Sequence, residues 1–345
     1  MILSAGQEVA ASAVREWLSR SSEQVFRLCG AAGTGKTSIA VGLSSGRNVA
    51  FAAYTGKAAQ VMRRAGCSDA DTLHSLIYRY RGGEFVLEHK QDLADFDLLV
   101  LDEVSMVDER LGEDCLSFGV KVLAIGDPAQ LPPPDGLGFF ERLPVSAMLT
   151  EVHRHAADSQ PGLIAQAVRG GLQLPRRSGW SVEDLLSYDQ IICGRNATRR
   201  GLNARLRAAL GRKDTVPVKG DRVICLKNDR RRGLFNGHTF RVEDCRVAYG
   251  EALALDLVSD DDRGFTIQTT SYRHHFENRT NELPPWENRH HSEFDFAMAI
   301  TCHKAQGSQW PRVAVIDESE AFGEHAGRWL YTAVTRAQER VELMA

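Results

Sequence analysis

The 345 residues include seven cysteines, Cys29, Cys67, Cys115, Cys193, Cys225, Cys245 and Cys302, but no CxxC pair among them. An odd, scattered set of this kind excludes a disulfide framework and a cysteine-based zinc site, and predicts reduced thiols. No run approaches the ~18 consecutive apolar residues that a membrane-spanning helix needs. The opening "MILSAGQEVAASAVREWL" also lacks a charged region followed by an apolar one. A soluble cytoplasmic chain with no membrane partner is therefore expected. Strong charge of one sign is missing too: the formal net charge is −3. A polyanion would have to be met by a local channel and not by the whole surface. Fixed-period repeats and low-complexity tracts are absent. With 43% hydrophobic and 25% charged residues over this length, the prior is two globular domains with decoration.

What is present is an alternation. "VFRLCG", "NVAFAAY", "FDLLVLDE" and "VKVLAIGD" are apolar runs separated by helical patterns. Such runs predict a parallel sheet buried on both faces. "YRYRGGEFVLEHK" breaks the series, and its Gly-Gly turn between short alternating strands predicts an inserted β-hairpin at about 75–96. A second α/β series starts near Ala147 and resumes with "FDFAMAIT", "RVAVID" and "RVELM". Between them, about 216–291, short strands with turn signals predict a small inserted β-barrel. The expected organisation is a first domain at 1–146, a second made of 147–215 and 292–345, and the insert at 216–291.

"GAAGTGKT", Gly30–Thr37, follows a strand-like run and opens a helical one. In this pattern Gly30, Gly33, Thr34 and Gly35 let backbone amides curl round a phosphate, Lys36 reaches the β- and γ-phosphates, and Thr37, next to Ser38, ligates Mg²⁺. ATP and Mg²⁺ are the cofactors this predicts. In "LLVLDEVSMVD", Asp102 is placed to bind the metal and Glu103 to act as base or to orient water. Adjacent acids at a strand end are often only a solvated turn, but a phosphate loop upstream favours catalysis. "VLAIGDPAQLPP" adds Gln130, able to hydrogen-bond a γ-phosphate. The basic stretches "GRNATRRGLNARLR" and "NDRRRGLFNGH" are as readily solvated faces as binding patches. His274, His275, His290 and His291 lack a metal-ligand spacing and read as surface residues.

Taken together and in order, these motifs resemble those of superfamily 1 helicases, in the branch that holds the RecD and Dda enzymes. "LSAGQEVA" resembles the glutamine motif, with Gln7 reading adenine. "YTGKAAQVM", "DTLHSLI", "LTEVHRH", "ITCHKAQGSQW" and "LYTAVTRA" resemble further motifs of the set. The resemblance implies an α/β fold of two RecA-like P-loop domains in tandem, with ATP in the cleft between them. It implies that Arg154 and Arg336 bring positive charge to the transferring phosphoryl group, Arg336 as an arginine finger in cis, and that Gly307 joins the nucleotide set. Thr55, Lys57, Thr72 and His74, with Thr301, His303 and Lys304, would line a single-stranded DNA track. The implied activity is ATP-driven 5′→3′ translocation and strand displacement by a monomer in the cytoplasm of a bacterium or a phage-infected host. Its implied partners are single-stranded DNA, single-strand/duplex junctions and replication or recombination proteins. The hairpin, with Phe85 near its tip, would be a wedge assisted by the barrel. Two departures stand out: Tyr54 replaces the usual proline, and Gln309 replaces an acid that contacts the ribose. A translocase without robust unwinding, an RNA helicase and a P-loop switch ATPase remain the alternatives.

Overall fold

Successive side chains of a strand point to opposite faces, so a strand apolar at every position must be covered on both. In the computed structural model, Leu98 and Val100 enter one core with Leu123 and Ile125, while Leu99 and Leu101 enter another with Val122 and Ala124. The structure describes residues 3–43, 46–81, 84–88, 93–133, 136, 138–151, 159–229, 232–260, 264–283 and 291–345. The chain divides into two compact units: 1–173 with 324–335, and 174–323 with 336–345.

The first unit is built on strands β1 (Val25–Gly30), β2 (Val49–Ala53), β3 (Asp71–Thr72), β6 (Leu98–Asp102), β7 (Val122–Gly126) and β8 (Ala147–Leu149). β4 (Tyr78–Arg81) and β5 (Glu84–Leu87) pair antiparallel with each other outside this sheet. The six-stranded sheet runs β3-β2-β6-β7-β1-β8, with every pairing parallel. β8 adds an edge strand just beyond residue 146, where the expected first domain ends. Helix Ala5–Arg20 starts on a capping box between Ser4 and Gln7 and buries Ala10, Ala11, Val14 and Trp17. These positions recur at helical spacing and form one stripe against the sheet. Helix Ala326–Val334 also belongs to this unit, although the strands before and after it in the chain belong to the other.

The second unit holds two sheets. β9 (Gln190–Cys193), β15 (Ala299–Thr301), β16 (Trp310–Ile316) and β17 (Ala337–Met344) form an all-parallel sheet in the order β15-β9-β16-β17. β10 (Arg222–Cys225), β11 (Thr239–Tyr249), β12 (Ala252–Ser259), β13 (Thr266–Tyr272) and β14 (Phe294–Phe296) form an antiparallel sheet in the order β13-β12-β11-β10-β14. Its inner face is Val223, Cys225, Phe240, Val242, Leu253, Leu255, Leu257, Phe294 and Phe296. β12 shows the reason: its leucines alternate inward with less buried residues between them.

A buried charge cluster ties helix Asn196–Ala209 to the start of this antiparallel sheet. The fully buried Asp221 carboxylate accepts from Arg207 Nε at 3.1 and 3.2 Å, from Arg212 Nη1 at 2.8 Å and from the Val218 amide at 2.9 Å. The Arg207 guanidinium also lies 4.0 Å from the centre of the Phe296 ring. Removing one partner of a buried pair leaves uncompensated charge. Asp221→Asn should destabilise the second unit by about 3 kcal/mol, read as a lower urea midpoint. An unchanged midpoint would show that the two arginines find other partners.

The seven cysteines are free, and burial pushes the thiols of Cys115, Cys193, Cys225 and Cys302 up to about 12. The reduced-thiol expectation fits this. The reading of the histidines as surface residues does not hold for two of them. His275 and His291 are buried, and His291 accepts or donates at 2.9 Å with the Tyr249 hydroxyl and lies 4.3 Å from the Tyr272 ring. Tyr249 on β11 and Tyr272 on β13 draw His291 in; His290 lies outside the described residues. No group of three or more His, Cys, Asp or Glu among the described residues could hold a metal ion by itself. No helix among them is long and apolar enough to cross a membrane.

Candidate functional site

In an all-parallel sheet every strand delivers its following loop to the same edge, and ligands bind there. At the carboxyl edge of the first sheet stand the phosphate loop after β1, Thr55 after β2, Thr72 ending β3, Asp102 ending β6 and the Asp127–Leu131 loop after β7. Sheet order therefore places the nucleotide candidates centrally and the strand-gripping candidates Thr55 and Thr72 on one flank.

The phosphate loop needs conformations that a side chain would obstruct. Gly33 and Gly35 both have φ +82°, and a Cβ on Gly35 would meet Gln7 Nε2 at 2.1 Å. Gly30 faces the Thr34 hydroxyl and the Leu149 carbonyl so closely that a Cβ would lie 2.7 and 2.9 Å from them. Lys36 Nζ donates to the carbonyls of Gly30 at 2.7 Å and Ala31 at 2.9 Å, both of the same loop. Thr37, in the first turn of helix Lys36–Leu43, donates its hydroxyl to Asp102 Oδ2 at 3.1 Å. Ser38 follows it in the helix. A hydroxyl and a carboxylate in contact are two hard oxygen donors of the kind that holds Mg²⁺ beside a phosphate, so these residues fit that ion.

Glu103 is the strained member of the site. Its φ/ψ of 56°/44° is left-handed, which non-glycine residues avoid. Its amide donates to Asp102 Oδ1 at 2.9 Å. Strain of this kind costs on the order of 1–3 kcal/mol and persists at functional sites because the surroundings over-determine it. Gln130 is 4% exposed, and its Oε1 lacks a hydrogen-bond partner among the described residues. A buried orphan acceptor at the same sheet edge as the acids suits a water that donates to it.

Gln7 shows more than its motif suggested. Its Oε1 accepts from the Ser4 amide at 3.0 Å, and its Nε2 donates to the Thr34 carbonyl at 3.0 Å. Here the side-chain amide ties the first helix to the phosphate loop. Arg154 lies outside the described residues.

The remaining first-unit candidates form helix starts. Thr55 caps helix Gly56–Arg64 by accepting from the Ala58 amide, and Thr72 caps helix Leu73–Ile77 by accepting from the Ser75 amide, both at 3.2 Å. Lys57 is buried, whereas His74 is exposed. The His74 ring lies 6.2 Å from Tyr54 and 5.9 Å from Tyr78. Tyr54, the departure from proline, thus stands beside a candidate track residue.

In the second unit the candidates separate to opposite edges of the parallel sheet. Thr301 ends β15, and His303 and Lys304 follow in helix Cys302–Ala305, at the carboxyl edge. His303 lies 6.1 Å from the Phe322 ring. Lys304 Nζ donates to Asn236 Oδ1 at 2.9 Å, and burial pulls its pKa down from the usual lysine value. Gly307, with φ +73°, precedes β16, and Arg336 precedes β17, both at the amino edge. Arg336 is 3% exposed and donates to the Ser308 carbonyl at 3.4 Å, while its own carbonyl accepts from the Trp310 amide at 2.9 Å.

Comparison with known proteins agrees with this arrangement. Residues 2–181 match the AAA domain family, and residues 296–344 match the UvrD-like helicase C-terminal domain. The chain is 30% identical over 343 residues to the ATP-dependent RecD2 DNA helicase of Deinococcus radiodurans, covering 91% of this chain and 46% of that protein. It is 25% identical over 369 residues to the conjugal transfer protein TraA of Rhizobium radiobacter, covering 93% of this chain and 31% of that one. The chain thus spans less than half the length of these curated relatives. Among solved structures, Bacteroides Pif1 bound to single-stranded DNA superposes with a TM-score of 0.64 at 22% identity, over 100% of this chain and 92% of that one. Pif1 helicase from Candida albicans gives 0.59 at 17% identity, over 100% and 95%. These likenesses establish the fold. The AAA domain match covers more than half of the chain, and the chain belongs to that family.

Proposed function

We propose that the chain is the motor of an ATP-dependent DNA helicase or translocase that moves 5′→3′ along single-stranded DNA and displaces the complementary strand at single-strand/duplex junctions. The observation that carries this reading is the carboxyl edge of the first sheet. It gathers Lys36, Thr37, Asp102, Glu103 and Gln130 at the ends of the central strands β1, β6 and β7, and Thr55, Lys57, Thr72 and His74 at the ends of the flanking β2 and β3. One rigid sheet therefore reports nucleotide state to the strand grip.

In this reading ATP is the fuel, and Mg²⁺, held by Thr37 and Asp102, neutralises phosphate charge when bound. The glycine loop with Thr34 and Ser38 cradles the phosphates, and Lys36 transfers its ammonium from the loop carbonyls to them. Glu103 takes the proton of the attacking water, and Gln130 holds that water in line. Gln7 fixes the loop and reads the base from the same position. Gly307, Arg154 and Arg336 come from the second half of the motor, and Arg336 is the finger that makes hydrolysis depend on closure. Thr301, His303 and Lys304 grip the strand from that half, through phosphate contacts that carry no sequence information.

The domain reading that accompanies this is two RecA-like halves, 1–146 and 147–215 with 292–345, and a small barrel at 216–291. Support for the barrel comes from Ser292, which precedes β14: its amide donates to the Thr270 carbonyl at 2.8 Å, and its hydroxyl meets that of Thr269 at 2.8 Å. These bonds join the last strand of the sheet back towards β13. The β4/β5 pair is the inserted hairpin of the same reading. The motor works as a monomer, with replication or recombination proteins as its partners and the cytoplasm as its compartment.

The test is the ATPase rate of the chain with and without oligo-dT, followed by displacement from 5′- and 3′-tailed duplexes. Strong stimulation by DNA, with displacement from the 5′ tail alone, is the expected result. A rate indifferent to DNA overturns the motor reading. Stimulation by RNA instead of DNA reassigns the substrate.

A further inference from the structure

We infer that helix Ala326–Val334 is a coupling rod and that Arg328 and Tyr331 are positioning residues for hydrolysis; this rests on the motor reading above. The helix holds the Asp127–Leu131 loop, which carries Gln130, at three places. The Tyr331 hydroxyl donates to Asp127 Oδ2 at 2.8 Å, and the Leu131 amide donates to the Thr332 hydroxyl at 2.7 Å. Arg328 Nε donates to the carbonyl of Gln130 itself at 2.6 Å, and its Nη2 donates to Glu141 Oε1 at 2.6 Å. The other oxygen of Asp127 accepts from the Ala129 amide at 3.0 Å, so Tyr331 fixes the carboxylate that shapes the turn before Gln130. Trp329 is fully buried between these contacts in sequence, and Arg169 lies 5.9 Å from the Tyr331 ring.

The same helix leads directly to Arg336. Thr335 is the last residue that belongs to the first unit, and Arg336 is the first that returns to the second. A helix transmits displacement along its axis because its backbone bonds are internal. Moving the Gln130 loop must therefore load the segment that delivers Arg336. The motif "LYTAVTRA" carries two jobs on this account: its arginine meets the phosphate, and its tyrosine and threonine hold the sensor loop.

The experiment compares Tyr331→Phe, Arg328→Lys and Arg328→Gln with the wild-type chain. Nucleotide sites are titrated with a fluorescent ATP analogue, and kcat per titrated site is measured with and without oligo-dT. The ratio of the two rates does not depend on the folded fraction, which a merely structural role would change. Tyr331→Phe should keep nucleotide affinity and lower the DNA-stimulated kcat about tenfold, the scale of one charge-assisted hydrogen bond lost from the hold on the Gln130 loop. Arg328→Lys, which retains charge but not the fork, should fall between wild type and Arg328→Gln. Melting temperatures that fall while the rate ratio stays at the wild-type value would overturn the coupling role. A wild-type chain that DNA does not stimulate would instead overturn the motor reading, and this inference with it.

Discussion

Arg336→Ala should lower the DNA-stimulated ATPase rate by about 10³-fold or more, the scale of an arginine finger on a transferring phosphoryl group. Nucleotide binding should survive, because the phosphate loop, Lys36 and Thr37 all lie in the first unit. The fold should tolerate the change. The backbone bond from Trp310 to the Arg336 carbonyl, which starts the pairing of β16 with β17, does not involve the side chain. The side-chain bond to the Ser308 carbonyl, at 3.4 Å, is long and contributes little of itself. Arg336→Lys should recover only part of the rate, since an ammonium lacks the planar fork that meets two phosphate oxygens. Phosphate release under saturating ATP and oligo-dT, beside titration with a fluorescent ATP analogue, separates catalysis from binding. A mutant within tenfold of wild type would remove Arg336 from the site. Loss of nucleotide binding would make it a structural residue of the second unit.

The parallel cores were legible because buried parallel strands leave an unmistakable trace: "LLVLD" and "VLAIG" are apolar almost throughout. From them the carboxyl-edge placement of Asp102 and Gln130 follows without coordinates. Other features have no local signal. Helix Ala326–Val334 has an apolar face like any other, and nothing in its pattern says that it packs in the first unit while its flanking strands join the second. The contacts of Arg328 and Tyr331 with a loop some 200 residues away were invisible for the same reason. β8 is three residues long, too short for a period to show, and its place in the first sheet is decided by the edge that β1 offers. His291 read as a surface residue because a loop-rich context hides the tyrosines of β11 and β13 that bury it. Gln7 was legible as a motif member but not as a tie, since a capping box and a phosphate-loop contact use the same amide.

Glu103→Gln should preserve nucleotide and DNA binding and lower hydrolysis by 10²- to 10⁴-fold, roughly the range for loss of a general base. The substitution keeps shape and removes only the capacity to accept a proton, so the fall measures chemistry and not packing. Backbone strain sharpens the argument. Glu103 holds a left-handed conformation that costs an ordinary residue free energy, and glycine adopts it without penalty. A second variant, Glu103→Gly, should therefore unfold at a higher temperature than Glu103→Gln while hydrolysing ATP no faster. That pairing would show that the turn after β6 carries strain in order to aim a carboxylate beside Asp102. If Glu103→Gln retained more than a tenth of the wild-type rate, another group would have to take the proton. Asp102 would be a poor substitute, since its two oxygens already accept from Thr37 and from the Glu103 amide. The base would then have to come from outside the strand ends on which this site is built.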